Sequence, residues 1–345
     1  MRLQQLLGLE LPIIQAPMAG VQGAALAVAV ANAGGLGSLP CALLTPESLR
    51  TELEAIRDQT NRPFNVNFFC HAEPPRDVER EHAWRRVLKP YFDEFGIDPE
   101  SIAEGPTRTP FNSHLAEIVE PFNPPIVSFH FGLPSPDLLA RVRTWGAKIL
   151  ASATTVNEAL WLQEKGVDAI IAQGWEAGGH RGMFLSDDVA TQLGTFALVP
   201  QIAAAVDIPV IAAGGITTSS GVNAALALGA AGVQVGTAYL LCAEATTGSV
   251  HRAALKADTA RATAVTNVFT GRPARGIVNR VMQELGYMST AAPPFPLAAP
   301  PMGVLRAAAE KKGSGDFSPL WCGQNATGCR EVPAGVLTRE LASGS

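Results

Sequence analysis

Short apolar runs alternate with Ala-rich segments of helical spacing along most of the chain. Pro12 to Met18 predicts a buried strand, and Gly23 to Ala33 a helix that stops at Gly34-Gly35. Leu36 to Leu39 predicts a second strand. Pro46 to Thr60 predicts a helix, with Thr45 as its N-cap. Phe64 to Phe69 alternates Asn with apolar residues and predicts a third strand. The rhythm resumes with strands at Ile126 to Phe131, Lys148 to Ala151, Ala169 to Ala172, Pro209 to Ala213 and Gly232 to Gly236. Helices are predicted between them at Pro136 to Trp145, Val156 to Lys165 and Ser220 to Leu228. About eight strand-helix units result, the number that closes a parallel (β/α)8 TIM barrel. An open doubly wound sheet is the alternative, disfavoured because no GxGxxG follows an early strand.

Two stretches break the rhythm. Residues 70–123 are rich in Pro and charge, and residues 246–312 read as helical and then Pro-rich, with Pro293-Pro294-Phe295-Pro296 and Pro300-Pro301. Both are expected to form a smaller cap domain over a barrel made of 1–69, 124–245 and 313–345. Ala342 to Ser345 is expected to fray.

Composition narrows the class. The 345 residues are 47% hydrophobic and 17% charged, so a large core is affordable and global disorder is excluded. A net charge of -5 without a basic block argues against nucleic acid. Cys41, Cys70, Cys242, Cys322 and Cys329 are scattered and form no CxxC pair, which favours a reduced, cytoplasmic setting. The opening residues have no apolar core of a signal peptide before Glu10 and Pro12. The uncharged stretch between Asp207 and Glu244 is cut by Gly214-Gly215, Gly221 and Gly229, so it reads as strands and a helix rather than a membrane span, which needs about 20 continuous apolar residues.

The chemistry is concentrated at predicted strand ends. Ala213-Gly214-Gly215-Ile216 and Gln234-Val235-Gly236-Thr237 end the last two strands, where this fold binds phosphate. Their glycines would let backbone N–H groups approach phosphate oxygens, with the Thr237 hydroxyl as a further donor. Tight turns alone would also explain them. Gln173 to Gly182 follows the sixth strand; its glycines suit backbone packed against a flat ligand, and His180 is a candidate base or donor. Asn65 and Asn67 share one face of the third strand. Asn67 suits a ligand with donor and acceptor edges, or is a core amide satisfied by backbone. His130, on the face of Ser128, is either a site residue or a satisfied core histidine. Cys70-His71 lacks a second ligand pair at metal-site spacing, so no metal is expected.

Taken together, these segments resemble the nitronate monooxygenases. Gln15-Ala16-Pro17-Met18-Ala19-Gly20, Asn65 to His71, Ser128 to Pro134 and Gln173 to Gly182 are similar to the four motifs of the bacterial class I enzymes. Thr270 to Gly276 and Leu320 to Gln324 are similar to later family segments, and the likeness runs from about Leu6 to about Leu341. The resemblance implies a TIM barrel with FMN, contacted by Met18, Asn67, Gln173, Gly178, Gly179, Gly215, Gln234, Gly236 and Thr237. It implies His180 as catalytic residue and His130 in the substrate pocket. Tyrosine often lines that pocket in the family, and here Phe295 stands where one is expected. The implied reaction takes a small alkyl nitronate, such as propionate 3-nitronate, and O2 to a carbonyl compound and nitrite. The family resemblance allows a homodimer. An FMN-dependent NAD(P)H:quinone or enoyl reductase on the same fold is the alternative. A non-catalytic phosphate-ligand barrel is a third reading, which has no need of His180 and His130.

Overall fold

The computed structural model describes residues 3–75, 77–102 and 108–344. Arg76 and residues 103–107 of the expected cap, and Ser345 of the expected frayed end, lie outside the described residues. The strands, in chain order, are β1 (Ile13–Gln15), β2 (Gly37–Pro40), β3 (Phe64–Phe69), β4 (Ile126–His130), β5 (Lys148–Ala153), β6 (Ala169–Gln173), β7 (Gly179–His180), β8 (Val210–Ala213), β9 (Gly232–Val235), β10 (Thr263–Thr266) and β11 (Ala274–Ile277).

Eight of them form one parallel sheet in the order β1-β9-β8-β6-β5-β4-β3-β2. A parallel bridge between Ile14 and Leu36 joins β1 to the start of β2, and this closes the sheet into a barrel. The predicted strands and the helices between them recur with boundaries shifted by a residue or two, except that the first strand ends at Gln15 rather than Met18, and Thr45 does cap its helix, accepting from the Ser48 N–H at 3.2 Å.

Period-2 alternation decides what fills the barrel. Its lower layer is apolar: Ile14, Leu36, Ile126, Leu150, Ile171 and Ile211 cluster with Leu3 and Leu7. Those two leucines belong to a short N-terminal helix, Leu3–Leu7, that plugs the N-terminal end of the barrel. The next layer up is polar. Asn65 Nδ2 donates to Ser38 Oγ (3.0 Å) and Ser128 Oγ (2.9 Å), and Asn67 Nδ2 donates to Ser128 Oγ at 2.9 Å. A buried amide needs such partners, so the alternating asparagines tie β2, β3 and β4 together from inside.

The stretch 246–312 is helical at Ser249–Lys256, as read, but is more than helix followed by prolines. It holds an antiparallel pair, β10 and β11, and β7 adds to the edge of β11 through the pairs Ala274–His180 and Arg275–Gly179. Pro300 and Pro301 sit in the first turn of a helix, Ala299–Lys311, where a missing N–H costs nothing. The helix Thr195–Ala205 was also not predicted, because it carries no charge and has Pro200 in its interior.

A second core lies apart from the barrel. Trp84, Leu88 and Phe92 of the helix Val78–Phe95 pack with Phe269, Met282, Met302, Leu305 and Phe317. By contrast Phe111, Leu115 and Val119 pack into the barrel core. Among the described residues no helix is long and apolar enough to cross a membrane.

Candidate active site

Because the barrel strands are parallel, their C-terminal ends meet at one rim. There the structure gathers Asn67 and Phe69 from β3, His130 from β4, Gln173 from β6, Gly214-Gly215 after β8, and Gln234, Gly236 and Thr237 at the end of β9.

On one side of the rim, glycines let backbone segments approach closely. A Cβ on Gly178 would stand 2.6 Å from Gly323 N, and one on Gly323 would stand 2.8 Å from the Glu176 carbonyl oxygen. Gln324 N donates to that same carbonyl at 2.9 Å, so the 174–179 loop is held against residues 322–324. Thr237 Oγ1 accepts from Gly323 N at 2.9 Å and, as a hydroxyl, still has a proton to donate. Gly215 has φ +71, which favours glycine, and its carbonyl accepts from Asn325 Nδ2 at 3.0 Å. Gly236 differs: its φ of -111 suits any residue, and a Cβ there would meet only Ala16 Cβ at 3.4 Å and Met18 Sδ at 3.7 Å. Neither turn geometry nor packing requires glycine at 236. Gln234 Oε1 is buried without a hydrogen-bond partner. Such an orphan calls for an explanation, and a bound ligand supplies one.

On the other side stands His180. Its Nε2 is 2.9 Å from Thr270 Oγ1, which leaves Nδ1 as the nitrogen for a ligand. The backbone of His180 is fixed independently of its ring: its carbonyl accepts from Gln173 Nε2 (2.9 Å) and His130 Nε2 (3.2 Å). Gln173 Oε1 accepts from Gly182 N at 2.7 Å, so both polar ends of Gln173 brace this loop. His130 is also fully engaged. Since Nε2 donates to a carbonyl, Nδ1 accepts from Ser152 Oγ at 3.0 Å. His130 therefore matches the satisfied-histidine alternative in its hydrogen bonds, while its ring lies 4.5 Å from that of Phe131.

Around His180 runs an aromatic wall. Phe295 and Trp321 are each 5.4 Å away, Phe131 6.0 Å and Phe69 6.1 Å. Phe131 has φ +69, a strained conformation for a bulky residue that signals a functional constraint. Arg272 lies over its ring at 4.1 Å, and Arg108 lies 5.4 Å from the Phe295 ring. The turn between β10 and β11 organises much of this. Thr270 bonds His180, Arg272 covers Phe131, and Gly271 (φ +89) touches the Phe295 segment so closely that a Cβ would stand 2.1 Å from the Pro293 carbonyl oxygen.

Arg108, Thr270, Arg272 and Trp321 were not singled out from sequence. Three of them fall in the segments quoted for the family resemblance, but nothing local reveals what they touch. Arg108 carries no signal at all.

The electrostatics follow from burial beside cations. Burial pushes the His180 pKa well below its ordinary value, and Arg108, His130, Arg272 and His71 push it further. His71, His130 and His251 are each lowered to about 4, chiefly by burial. All four imidazoles are neutral at pH 7. In the unfolded chain they take up protons near pH 6.5, while in the fold they resist until much lower pH. Stability is thus fully present above pH 6.5 and falls as pH drops toward 4. The carboxylates with lowered pKa add to this loss only below pH 4.5. The expected result is a Tm that declines by several degrees between pH 6.5 and 4.5 in calorimetric scans. A flat Tm over that window would show the imidazoles to be solvated.

Comparison with known proteins agrees with this geometry. The profile of the family described as nitronate monooxygenase matches residues 1–344. A nitronate monooxygenase of Pseudomonas aeruginosa is 43% identical over 99% of this chain and 97% of its own. Among solved structures, nitroalkane oxidase from Streptomyces ansochromogenes superposes with a TM-score of 0.88 at 38% identity, covering 99% of this chain and 96% of that one. FabK from Thermotoga maritima superposes with a TM-score of 0.74 at 28% identity, covering 99% and 94%. A family match over residues 1–344 and a relative 43% identical over nearly the full length of both chains establish that this chain belongs to the nitronate monooxygenase family of flavin-dependent oxidoreductases.

Proposed function

We propose that the protein oxidises small alkyl nitronates with O2 to a carbonyl compound and nitrite, with FMN as its flavin. The observation that carries this reading is His180, held neutral among aromatic rings and cations at the rim of the barrel. The nitroalkane oxidase likeness and the family match support it.

The residues at the rim fit a flavin mononucleotide. Gly215, Gly236 and Thr237 would hold its phosphate, since two glycine turns at the ends of β8 and β9 offer backbone N–H groups. Gln234, whose Oε1 lacks a partner, together with Met18, Asn67, Gly178 and Gly179, would border the ring system. A bound flavin supplies the means of taking electrons from the nitronate and passing them to O2.

The chain's own part is binding, charge and proton control. A nitronate spreads negative charge over carbon and the nitro oxygens. Arg108 and Arg272 give the cleft the opposite sign. Neutral His180 presents Nδ1. If the Thr270 hydroxyl donates to Nε2, then Nδ1 carries the hydrogen and donates to a nitro oxygen. If Nε2 donates to Thr270, then Nδ1 is a bare base that can accept a proton from a neutral nitroalkane. The hydroxyl serves both states by rotating. Phe69, Phe131, Phe295 and Trp321 keep water from the anion, which strengthens each of these interactions.

Purified protein should show flavin absorption, and acid should release FMN. Preformed nitronate should drive oxygen consumption without any nicotinamide. FAD in the released fraction would overturn the cofactor assignment. Anaerobic bleaching by NADH, with no turnover of nitronate, would overturn the reaction in favour of a reductase.

A further inference from the structure

Against the Gly-rich loop after β6 lie two buried cations that the reaction as described does not use. Arg181 is fully buried and Arg275 is 2% exposed. Both guanidiniums lie over the ring of Trp175, at 5.5 and 5.3 Å. Arg181 Nη2 donates to the Gln173 carbonyl at 2.8 Å and Nη1 to the Gly174 carbonyl at 2.6 Å. Arg275 Nε donates to the Trp175 carbonyl at 3.0 Å. Three consecutive carbonyls are thus taken by two cations.

Bracing carbonyls needs donors, not charge, and neutral amides would do it at less cost. Among the described residues neither guanidinium forms an ion pair. Glu176 acts on both at a distance, but its carboxylate is committed to the N–H and hydroxyl of Thr195. Burial pushes Arg181 down to about 9, and the neighbouring Arg275 pushes it the same way, yet it stays charged at pH 7. Two like charges buried together are costly unless an anion lies close.

The loop packs on the Gly214-Gly215 turn. The Gly174 carbonyl oxygen is 3.3 Å from where a Cβ on Gly214 would stand, and Glu176 Cβ is 3.4 Å from where one on Gly215 would stand. In a trans peptide the N–H and C=O point in opposite directions. The Trp175 carbonyl faces Arg275, so the Glu176 N–H faces away from it, and nothing among the described residues accepts from that N–H. A cation on the carbonyl polarises the peptide and strengthens its N–H as a donor.

We propose that Arg181 and Arg275 are positioning residues for the FMN phosphate: they hold the 173–176 loop against the Gly214-Gly215 turn and supply, from one peptide away, the positive charge that balances the phosphate. This rests on the FMN reading above. The turns Ala213 to Ile216 and Gln234 to Thr237 contain no lysine or arginine of their own, and a phosphate brings a charge of about -1.5 to -2.

Apoprotein titrated with FMN and with riboflavin, which lacks the phosphate, tests this by quenching of flavin fluorescence. The wild type should bind FMN the more tightly. Arg275→Gln should shrink that advantage about tenfold, the order expected of one unit charge acting through protein of intermediate dielectric. Arg275→Lys keeps the charge and should keep most of the advantage, although it loses the planar fork. Equal weakening of FMN and riboflavin by Arg275→Gln would make the arginine a brace for the loop, overturning the proposal with the FMN reading intact. Phosphorus-31 NMR of the wild-type holoenzyme needs no variant to fold. The bound phosphate should stay doubly charged to at least about one pH unit below its usual second pKa of about 6. Protonation near pH 6 would overturn the proposal as well. An apoprotein that prefers FAD to FMN would overturn the FMN reading, and this one with it.

Discussion

His180→Asn should lower kcat/KM on a preformed nitronate at least about tenfold, a floor set below the roughly 10²- to 10⁴-fold that loss of a positioned acid-base group commonly costs. The fall should be larger on the neutral nitroalkane, which also needs a proton removed. Asn keeps a donor but loses the titratable nitrogen, and it breaks the bond to Thr270 Oγ1. Flavin content should stay near wild type, and the reason lies in the backbone. Gln173 and His130 hold the loop through the carbonyl of residue 180, which the substitution leaves in place. Oxygen uptake on both substrates, with variants matched for flavin content, reads the effect. Rates unchanged from wild type on both substrates would make His180 structural. His130 is a poor substitute for the role, since both of its ring nitrogens are already engaged.

Gly236→Val should strip the protein of most of its flavin while changing the fold's stability far less. The backbone at 236 already has a φ that a β-branched residue adopts, and an added Cβ meets its neighbours at 3.4 Å or more. The Cβ itself therefore adds little strain within the protein, and the loss expected on flavin binding comes from a bound phosphate at this turn. A branched side chain against a bound phosphate costs about 1–3 kcal/mol by analogy with overpacking, which weakens binding by about 5- to 150-fold. The ratio of flavin to protein absorbance after gel filtration measures occupancy, and the Tm of the flavin-free variant measures stability. Full occupancy would remove this turn from the phosphate site. The contrast with Gly37 is instructive. A Cβ there would stand 1.9 Å from the Ala27 carbonyl oxygen, so that glycine belongs to strand-helix packing.

The barrel was legible because its strands and helices carry their own periodicity. The turns after β8 and β9 were legible because glycines at the ends of successive strands have few other uses. The β10–β11 pair was not. Each strand has four residues, too short for alternation to stand out, and the third strand of that sheet is two residues borrowed from the His180 loop. Asn65 and Asn67 were placed on one face by counting alone, but their shared partner Ser128 depends on the register between β3 and β4. Arg108 and Arg272 mark the other limit. An arginine in sequence is usually a solvated charge, and only the approach of distant segments reveals one that is half-buried against a ring.

The turn Thr270-Gly271-Arg272 has a consequence for how such a site can diverge. Three consecutive residues touch the His180 imidazole, the segment bearing Phe295 and the ring of Phe131. An insertion or deletion in that turn would displace all three contacts together, so acid-base control and pocket shape are inherited as one block. Descendants of this scaffold would reach new substrates through point changes at positions such as 108 or 295, or by exchanging 263–296 whole, whereas a shuffled junction inside the turn would yield chimaeras that fold yet turn over nothing.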